Sequence, residues 1–427
     1  MDISVMDILA ARDRRAATQK RLLEQYGKPL ICFTMNIAGP VKYSRWIEQG
    51  YQLGKRLLNA RITALHFEES ISPTGCEGFF VADLPAEELK RICVMIEDSQ
   101  PVCRLFDMDV LDTDGRKLSR EALGLEGRKC LICHKPAPVC SSRRAHSVAQ
   151  LQEKTTDLLQ TATEQAYIAS CAYQALLQEV CTTPKPGLVD LMNSGSHKDM
   201  DIHTFIKSAR ALQSYFYEAA GIGAEGLSPA DTFAKLRAAG IRAEKNMFAA
   251  TGGVNTHKGA IFTLGLLCAA ASREDIFGFC AAMTKDLTQR DFAGITEETA
   301  VTAGEKLYAL YGITGIRGQA ERGFPAVKDV GLPVLRKGLE NGLSLNDAGC
   351  ATLLHILCAV EDTNMITRSD LTFTWAVCGK ILAWLRADPY PTRQALESLD
   401  EQFIFHNLSP GGSADLLAAT YFLHFIG

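Results

Sequence analysis

The periodicity of the sequence changes near residue 150, and this change limits the possible folds more than any other feature. Before it, short apolar runs alternate with helical patterns, and the run KPLICFTMNI at 28–37 is typical of a strand. After it, almost every periodic segment is helical. We interpret the polar stretch 150–165 as a linker. The chain is therefore expected to be multidomain, with an α+β domain over residues 1–150 followed by an all-α domain over residues 160–427.

Composition removes several classes of protein. The 427 residues include 45 Lys and Arg against 49 Asp and Glu, a net charge of −4, which argues against bulk binding of nucleic acid. No run approaches the roughly 18–20 apolar residues that a membrane helix needs, and charged residues interrupt the stretch where a secretory signal would be apolar. The 14 cysteines are scattered through a chain too long to need disulfides, so reduced thiols and a cytoplasmic location are expected.

Two carboxylates lie two residues apart in a predicted strand, in the segment RLFDMDV at 104–110. Because side chains alternate along a strand, Asp107 and Asp109 share a face, with their Cα atoms about 6–7 Å apart. Such a pair can hold Mg²⁺ against substrate phosphates, although an acidic, solvated strand face is the alternative. The groups of the first domain proposed to contact substrate are Asn36, Lys42, Arg104 and Arg120.

A second candidate metal site follows this strand. Cys130 and Cys133 have the spacing of a zinc pair, and Cys140 and His146 complete a Cys3His set. The interval between Cys140 and His146 is longer than usual, so a loop of reduced thiols is the alternative.

Three glycine-rich segments in the second half precede or separate helices: TGGVNTHKG at 251–259, GITGIRGQAERG at 312–323 and SPGGS at 409–413. Free N–H groups at a helix start bind anions, and Lys258 and Arg317 add positive charge. The pattern differs from a Walker A loop, and a capping turn is the alternative for each segment. Together the three segments favour a polyphosphate ligand.

These segments together resemble two families of the citrate lyase prosthetic-group pathway. Residues 1–150 resemble holo-citrate lyase synthase, the apo-citrate lyase phosphoribosyl-dephospho-CoA transferase, in FTMNIAGPVKYS, CRLFDMDVLD and RKCLICHKPAPVC. Residues 160–427 resemble triphosphoribosyl-dephospho-CoA synthase in TPKPGLVD, GGVNTHKGAIF, GITGIRGQAERGFP, DTN and SPGGSADLL. The chain departs from the second family after DTN, where a basic residue and a glycine pair are expected and Arg368-Ser369-Asp370 stands.

The resemblance implies a bifunctional transferase. The all-α domain would join ATP to 3′-dephospho-CoA and release adenine. The first domain, nucleotidyltransferase-like, would then attach the product to a Ser of the apo-acyl-carrier (gamma) subunit of citrate lyase and release pyrophosphate. Mg²⁺ is the implied cofactor, and Zn²⁺ is a further option at the cysteines. Alternatives are the same chemistry on the carrier of malonate decarboxylase, a non-catalytic chaperone of the carrier protein, and a nucleotide-binding regulator.

The same resemblance extends the set of candidate residues. The catalytic candidates are Asp107, Asp109, Asp190 and Glu305. The candidate Mg²⁺ ligands are Asp107, Asp109, Asp199 and Asp362. In the second domain the candidate substrate-binding residues are Lys185, Gly252, Gly253, Asn255, His257, Lys258, Arg317, Gly411, Gly412 and Ser413.

Overall fold

The computed structural model describes residues 4–427 and divides the chain into two compact units, Met1–Glu164 and Gln165–Gly427. The chain is multidomain and mostly helical, with one small four-stranded sheet. The division falls inside one continuous helix, Val148–Cys181, so the segment interpreted as a linker is helical. Across residues 4–427, helices that combine enough length and apolar character to span a membrane are absent.

The first unit contains the sheet and four complete helices. Its elements, in chain order, are α1 (Val5–Tyr26), β1 (Leu30–Met35), α2 (Arg45–Asn59), β2 (Ala64–Ser72), β3 (Gly75–Ala82), α3 (Ala86–Glu97), β4 (Phe106–Leu111), α4 (Ala137–Ser142) and the start of α5 (Val148–Cys181). The strand order is β2-β3-β1-β4, and every neighbouring pair is antiparallel. The periodicity of residues 103–111 predicts one strand, but the strand begins at Phe106, because Pro101–Leu105 form a 3-10 helix.

Helices cover both faces of the sheet because β1 is apolar on both sides. Ile31 and Phe33 pack with α2 and α3, while Leu30 and Cys32 contact Leu22 of α1. In β4 the apolar residues alternate with aspartates, and the apolar ones join the α2 and α3 side. The aspartates of β4 therefore lie on the side of the sheet that α1 covers.

Every regular element that the structure describes in residues 182–427 is a helix. The α-helices, in chain order, are α6 (Ile202–Ala224), α7 (Pro229–Thr251), α8 (Lys258–Ala270), α9 (Ile276–Met283), α10 (Leu287–Asp291), α11 (Ala303–Tyr311), α12 (Gly315–Glu321), α13 (Leu332–Glu340), α14 (Leu345–Ala359), α15 (Thr363–Arg368), α16 (Leu371–Ala387), α17 (Arg393–Phe405) and α18 (Gly411–Ile426). A π-helix, Ala326–Gly331, precedes α13. The periodicity of residues 273–288 predicts one helix, but this segment contains α9 and the start of α10, which are separated at Asp286, whose φ is 58°.

Two apolar helices occupy the centre of this unit. In α8 and α18 most residues are buried, as expected for helices that are apolar on all sides, and both join the main core cluster. The Lys and Asp residues of these helices stand near their starts, Lys258 in α8 and Asp415 in α18. The charged residues of these two helices are therefore confined to their starts, where Lys258 is exposed and Asp415 is half-buried.

Candidate functional site

A cavity of about 200 Å³ lies in the first unit beside the acidic strand. Asp107, Asn36 and Lys42 line it together with Arg12 and Arg15 of α1. Three residues singled out from the sequence are thus brought to one place. Strand pairing explains part of this geometry, because Thr34 lies opposite Asp107 and the N–H of Asn36 donates to the carbonyl of Leu105 (2.7 Å).

Asp107 and Asp109 share one face of β4, since Phe106, Met108 and Val110 are all buried on the other. Burial raises the pKa of Asp107, and the neighbouring charge of Asp109 raises it further. Arg128, whose Nη2 is 3.5 Å from Asp107 Oδ1, opposes this shift. Lys117 Nζ lies 2.6 Å from Asp109 Oδ2. The negative charge of the pair is therefore partly offset by Arg128 and Lys117.

Lys42 is the half-buried cation of this cavity. Its Nζ donates to the carbonyl of Ile37 at 2.5 Å. Burial lowers the pKa of Lys42, and the charge of Arg12 lowers it further. A negatively charged ligand here would restore the favourable environment that the ammonium lost on burial.

The two other cations expected to bind substrate have protein partners instead. Arg120 is buried, and its guanidinium pairs with Glu97 and Asp98. Arg104 donates through Nη2 to the carbonyls of Lys129 and Cys130, both at 2.7 Å. Because these donors are occupied within the protein, we leave both arginines out of the proposed substrate contacts.

The sequence-predicted cysteine and histidine set does converge. The ligand atoms of Cys130, Cys133, Cys140 and His146 all lie within 4.8 Å of one another. Among residues 4–427, this is the only group of three or more His, Cys, Asp or Glu side chains close enough to share a metal ion.

A larger cavity, about 350 Å³, lies in the second unit at the first turns of α8 and α18. The sequence-predicted residues that line it are Lys185, Asp199, Asn255, His257, Lys258 and Gly411. Two of the three glycine-rich segments thus border one cavity, where the positive ends of two helix dipoles favour anions. In these first turns the N–H groups of Lys258, Ala260 and Ser413 already donate to the side chains of Asn255, Asp415 and Asp362.

His257 is buried in the wall of this cavity, with 3% of its surface exposed. Its Nδ1 is 2.6 Å from Ser208 Oγ, which also accepts a hydrogen bond from the hydroxyl of Thr256 (2.7 Å). Its Nε2 has no hydrogen-bond partner among the described residues. Burial lowers the pKa of His257 to about 3, and the charge of Lys185 lowers it too, so the ring is neutral at physiological pH.

Charged groups of both signs face this cavity. Lys185 Nζ is bound by the buried carboxylate of Glu179. Burial raises the pKa of Glu179, an effect that Lys185 opposes. Burial also raises the pKa of Asp415 well above its ordinary value, and the charges of Glu179 and Asp362 add to this, although the N–H of Ala260 at the start of α8 donates to the carboxylate. Asp415 is therefore the cavity carboxylate whose protonation is most perturbed.

Three carboxylates predicted to act on substrate or metal line neither of these cavities. Asp190 accepts hydrogen bonds from Thr183 Oγ1 and from three backbone N–H groups. Asp362 caps α15 and accepts from both the N–H and the hydroxyl of Ser413 (2.7 and 2.8 Å). Glu305 accepts from two backbone N–H groups in the capping box of α11. Each carboxylate holds the backbone in place, so we exclude the three from the proposed reacting groups.

The other predicted residues of the glycine-rich segments, Gly252, Gly253, Gly412 and Ser413, hold the backbone near the larger cavity without lining it. Gly252 and Gly253 have φ of 68° and 93°, and they turn the chain from α7 into α8 without lining the cavity. Gly412 lies close to Asp362, since a Cβ added there would be 3.2 Å from its Oδ2. The buried Ser413 binds the same carboxylate, so these residues fix the start of α18 against α15.

Arg317 lines a second cavity of the second unit, with a volume of about 300 Å³. Its Nε is 2.9 Å from Asp291 Oδ2, and apolar side chains such as Phe233 and Phe262 form much of the wall. Lys258 and Gly259 line this cavity as well as the larger one, so the two cavities of the second unit adjoin at the first turn of α8.

Sequence reasoning missed four charged or titratable residues of the larger cavity: Glu179, His197, Arg368 and Asp415. Asn364 and Ser409 also line it, and they belong to the DTN and SPGGS segments singled out from the sequence. Asp415 had a signal, because it is the single acidic residue in the mostly apolar run from Ala414 to Leu423. Arg368 stands at the place where the resemblance expected a basic residue, and it donates to the carbonyl of Ser196 (2.9 Å). Glu179 lacked such a signal, since a polar residue near a helix end is normally solvated.

Comparison with known proteins agrees with this two-part organisation. Residues 3–162 match the family CitX, apo-citrate lyase phosphoribosyl-dephospho-CoA transferase. Residues 165–427 match the family CitG, ATP:dephospho-CoA triphosphoribosyl transferase. Protein CitXG of Haemophilus influenzae is 36% identical over 100% of this chain and 97% of its own length. The chain belongs to the CitXG family. It is thus a transferase that joins a CitX half to a CitG half, which confirms the resemblance drawn from the motifs.

Two further relatives support the assignment. Protein CitXG of Leuconostoc mesenteroides subsp. cremoris is 36% identical over 99% of this chain and 97% of its own length. The probable 2-(5″-triphosphoribosyl)-3′-dephosphocoenzyme-A synthase of Lactiplantibacillus plantarum is 40% identical over 60% of this chain and 95% of its own length. The CitG half therefore has relatives that are separate proteins.

Proposed function

We propose that the CitG half joins ATP to 3′-dephospho-CoA in the larger cavity. The 2′-hydroxyl oxygen of the CoA ribose bonds to C1 of the ATP ribose, while the bond from that carbon to adenine breaks. The hydroxyl proton passes to a basic group of the enzyme, and adenine, which leaves with the bonding electron pair, takes up one proton at its ring nitrogen, so atoms and charge balance. The triphosphate stays on the transferred ribose.

The observation that carries this proposal is the meeting of two helix starts with cations and one perturbed carboxylate. The positive ends of α8 and α18 favour the negative charge of a triphosphate, and Lys258 and Arg368 add positive charge at the cavity wall. Lys258 is exposed and shares its charge with Glu244 at 3.2 Å, and Arg368 donates to the carbonyl of Ser196, so the triphosphate would compete with these partners. The adjoining second cavity, with its apolar wall and Arg317, has room for part of the second nucleotide.

Asp415 is the group proposed to accept the hydroxyl proton. Its carboxylate lines the cavity at the start of α18, and burial raises its pKa, so the ionised group is a stronger base than an ordinary carboxylate. His257 is proposed to donate a hydrogen bond. Ser208 Oγ accepts a hydrogen bond from the hydroxyl of Thr256, so the Ser208 hydroxyl can donate its proton to His257 Nδ1. The neutral imidazole of His257 then carries its own proton on Nε2.

The CitX half is proposed to attach this product to a Ser of the citrate lyase acyl-carrier subunit, with release of pyrophosphate. A nucleotidyltransferase-like role suits its cavity, where Asn36, Lys42 and Arg12 stand beside Asp107 and where Arg15 is paired with Glu77. The Ser oxygen bonds to the phosphorus next to the transferred ribose, the bond from that phosphorus to the pyrophosphate oxygen breaks, and the hydroxyl proton of the Ser is released to solvent. Lys42 and Arg12 would stabilise the charge that develops on the phosphate oxygens.

The carboxylates present fit Mg²⁺, which takes a few carboxylate oxygens and completes its coordination with water and phosphate. Asp107 and Asp109 would hold it in the CitX half, and Asp199 would approach it in the CitG half. When bound, Mg²⁺ neutralises phosphate charge and improves pyrophosphate as a leaving group.

The CitG assignment is tested by measuring adenine release from ATP in the presence of 3′-dephospho-CoA. Asp415→Asn should reduce the rate by about 100-fold or more, since a positioned general base contributes 10²–10⁴-fold. Asp347→Asn is the matched control, because Asp347 lies at the exposed start of α14 and lines neither cavity. An Asp415→Asn variant that folds and releases adenine at the wild-type rate would refute the assignment.

A further inference from the structure

The cysteine and histidine cluster of the CitX half has the geometry of a metal site. Cys133 Sγ lies 3.4 Å from Cys140 Sγ and 3.3 Å from His146 Nε2, and all four ligand atoms lie within 4.8 Å of one another. A tetrahedral zinc ion, with bonds of about 2.3 Å to sulfur and about 2.0 Å to nitrogen, places its ligand atoms about 3.5–3.8 Å apart. The observed separations bracket that value, so small side-chain movements suffice to enclose one ion.

The backbone around Cys130 is shaped to present two thiolates. The N–H of Cys130 donates to the carbonyl of Lys135 at 2.6 Å, and the N–H of His134 donates to the carbonyl of Cys130 at 3.2 Å. His134 takes the left-handed conformation, with φ of 60°, which closes the turn. The N–H groups of Ile132 and Cys133 donate to Cys130 Sγ. Such bonds from outside the ligand set stabilise the thiolate that binds metal.

The segment that carries the cluster has little apolar core of its own. Residues 112–147 are all described, and the apolar side chains buried there are Leu118, Cys130 and Cys140. Its helical content is a single 3-10 turn, Glu121–Leu123, and the short helix α4. A long connection with so few buried apolar groups needs another source of order, and a structural zinc ion supplies folding free energy directly.

The cluster is also tied to the acidic strand. Arg104, immediately before β4, donates to the carbonyls of Lys129 and Cys130. Arg128 donates to the carbonyl of Phe106 at 2.7 Å, and the same Nη2 lies 3.5 Å from Asp107 Oδ1. The same Nη2 also pairs with the buried carboxylate of Glu97 at 2.5 Å. Because Arg128 stands two residues before Cys130, order in the cluster holds the backbone that carries Arg128, while Glu97 and Phe106 hold its charge near Asp107.

We propose that Cys130, Cys133, Cys140 and His146 bind one structural zinc ion, which orders residues 112–147 and positions Arg128 beside Asp107. The first part is independent of the reaction. The second part rests on the proposed function of Asp107 in loading the carrier.

Elemental analysis of the full-length protein, purified without chelator and freed of any affinity tag, tests the first part. About one zinc per chain is expected, and Cys133→Ser should lose most of it. Cys181→Ser is the matched control and should keep the wild-type content, because Cys181 lies in α5 outside the cluster. A wild-type protein that holds no zinc after incubation with zinc and desalting would overturn the proposal, as would Cys133→Ser with undiminished zinc.

Cobalt substitution provides a readout that does not depend on a stable variant. Wild-type protein exchanged into Co²⁺ should show the intense visible absorption of a tetrahedral cobalt–thiolate site. Absence of that absorption, stoichiometric iron in place of zinc, or a Cys133–Cys140 disulfide found by mass spectrometry would each overturn the assignment.

The second part is tested by removing the metal from the wild-type protein. Loading of the carrier from supplied triphosphoribosyl-dephospho-CoA should fall at least about 10-fold and return with added zinc, while adenine release by the CitG half stays unchanged. If zinc is stoichiometric but loading is indifferent to its removal, the positioning role is wrong and the site itself stands. If Asp107 variants load normally, the proposed function of the strand fails instead.

Discussion

Asp107 illustrates what a single residue contributes in this protein. Its carboxylate is the one aspartate of β4 that lines the cavity of the CitX half, and its pKa is raised by burial. Alternation along the strand was enough to predict that it shares a face with Asp109. The cations Arg12 and Arg15 were not predictable in the same way, because they come from α1, whose contact with the sheet is tertiary.

Replacement of Asp107 by Asn should separate the two reactions. The amide keeps the shape of the side chain but removes the charge, so loading of the carrier should fall by about 100-fold or more. Adenine release should remain at the wild-type rate. Radiolabelled ATP allows both products to be followed in one assay, and Asp83→Asn, at an exposed ion pair with Lys28, serves as the control. Equal loading by Asp107→Asn and wild type would contradict the proposed role.

His257 should make stability depend on pH. Its pKa is about 3 in the folded protein against an ordinary value of 6.5, so between these values the unfolded chain binds more protons. The free energy of unfolding should therefore fall as pH falls below about 6.5, by up to about 1.4 kcal/mol per pH unit from this group.

The contribution of His257 is measured as a difference. Urea unfolding of wild type and His257→Asn at several pH values between about 5 and 7 should show a shallower acid loss in the variant. His203→Asn, at an exposed position of α6, should follow wild type. Parallel pH profiles for wild type and His257→Asn would show that the ring is not buried in its neutral form.

At the scale of elements, the first turn of α8 depends on the absence of a side chain at Gly259. A Cβ there would lie 1.8 Å from Asp415 Oδ2 in α18. Gly259→Ala should therefore displace Asp415, lower the rate of adenine release at least about 10-fold, and destabilise the protein by about 1–3 kcal/mol.

A glycine-to-alanine substitution at an exposed helix position is the control for this prediction. Gly379 is exposed in α16, and an added Cβ would meet nothing within 4 Å. Gly379→Ala should keep full activity and gain up to about 1 kcal/mol in unfolding free energy. Thermal melts and adenine assays on both variants decide the matter. Wild-type behaviour of Gly259→Ala would mean that α8 and α18 are not in close contact at this turn.

Helices and strands whose apolar residues recur with a clear periodicity could be predicted from the sequence. The roles of the polar side chains that they carry were less predictable. The strands of the sheet and helices such as α8 and α18 follow directly from periodicity. Helix α1 escaped notice although Ser4 and Asp7 form a capping box at its start. The roles of the carboxylates were harder to predict, because Asp190 and Asp415 both belong to distinctive motifs and the motifs do not tell a structural carboxylate from one that faces a cavity. Only the fold shows that backbone N–H groups occupy Asp190 while Asp415 faces the cavity.

At the scale of the whole molecule, the two halves have separate cores and separate cavities. Damage to one reaction should therefore leave the other intact. A mixture of the Asp107→Asn and Asp415→Asn proteins should load the carrier from ATP and 3′-dephospho-CoA, although each alone does so at most at about 1% of the wild-type rate. Mass spectrometry of the carrier measures the outcome. Failure of the mixture, with each remaining activity intact, would show that the intermediate does not leave the chain that makes it.

The continuity of α5 has a practical consequence for anyone who wishes to divide this protein. A chain stopped at Glu164 would end in mid-helix, with its last four carbonyls deprived of their donors. Fraying of that severed end would reach Leu159 and Ala162, which belong to the core of the CitX half. A stable excised fragment should therefore retain a turn or two of α5 past the family boundary, even though those residues belong by sequence to its neighbour.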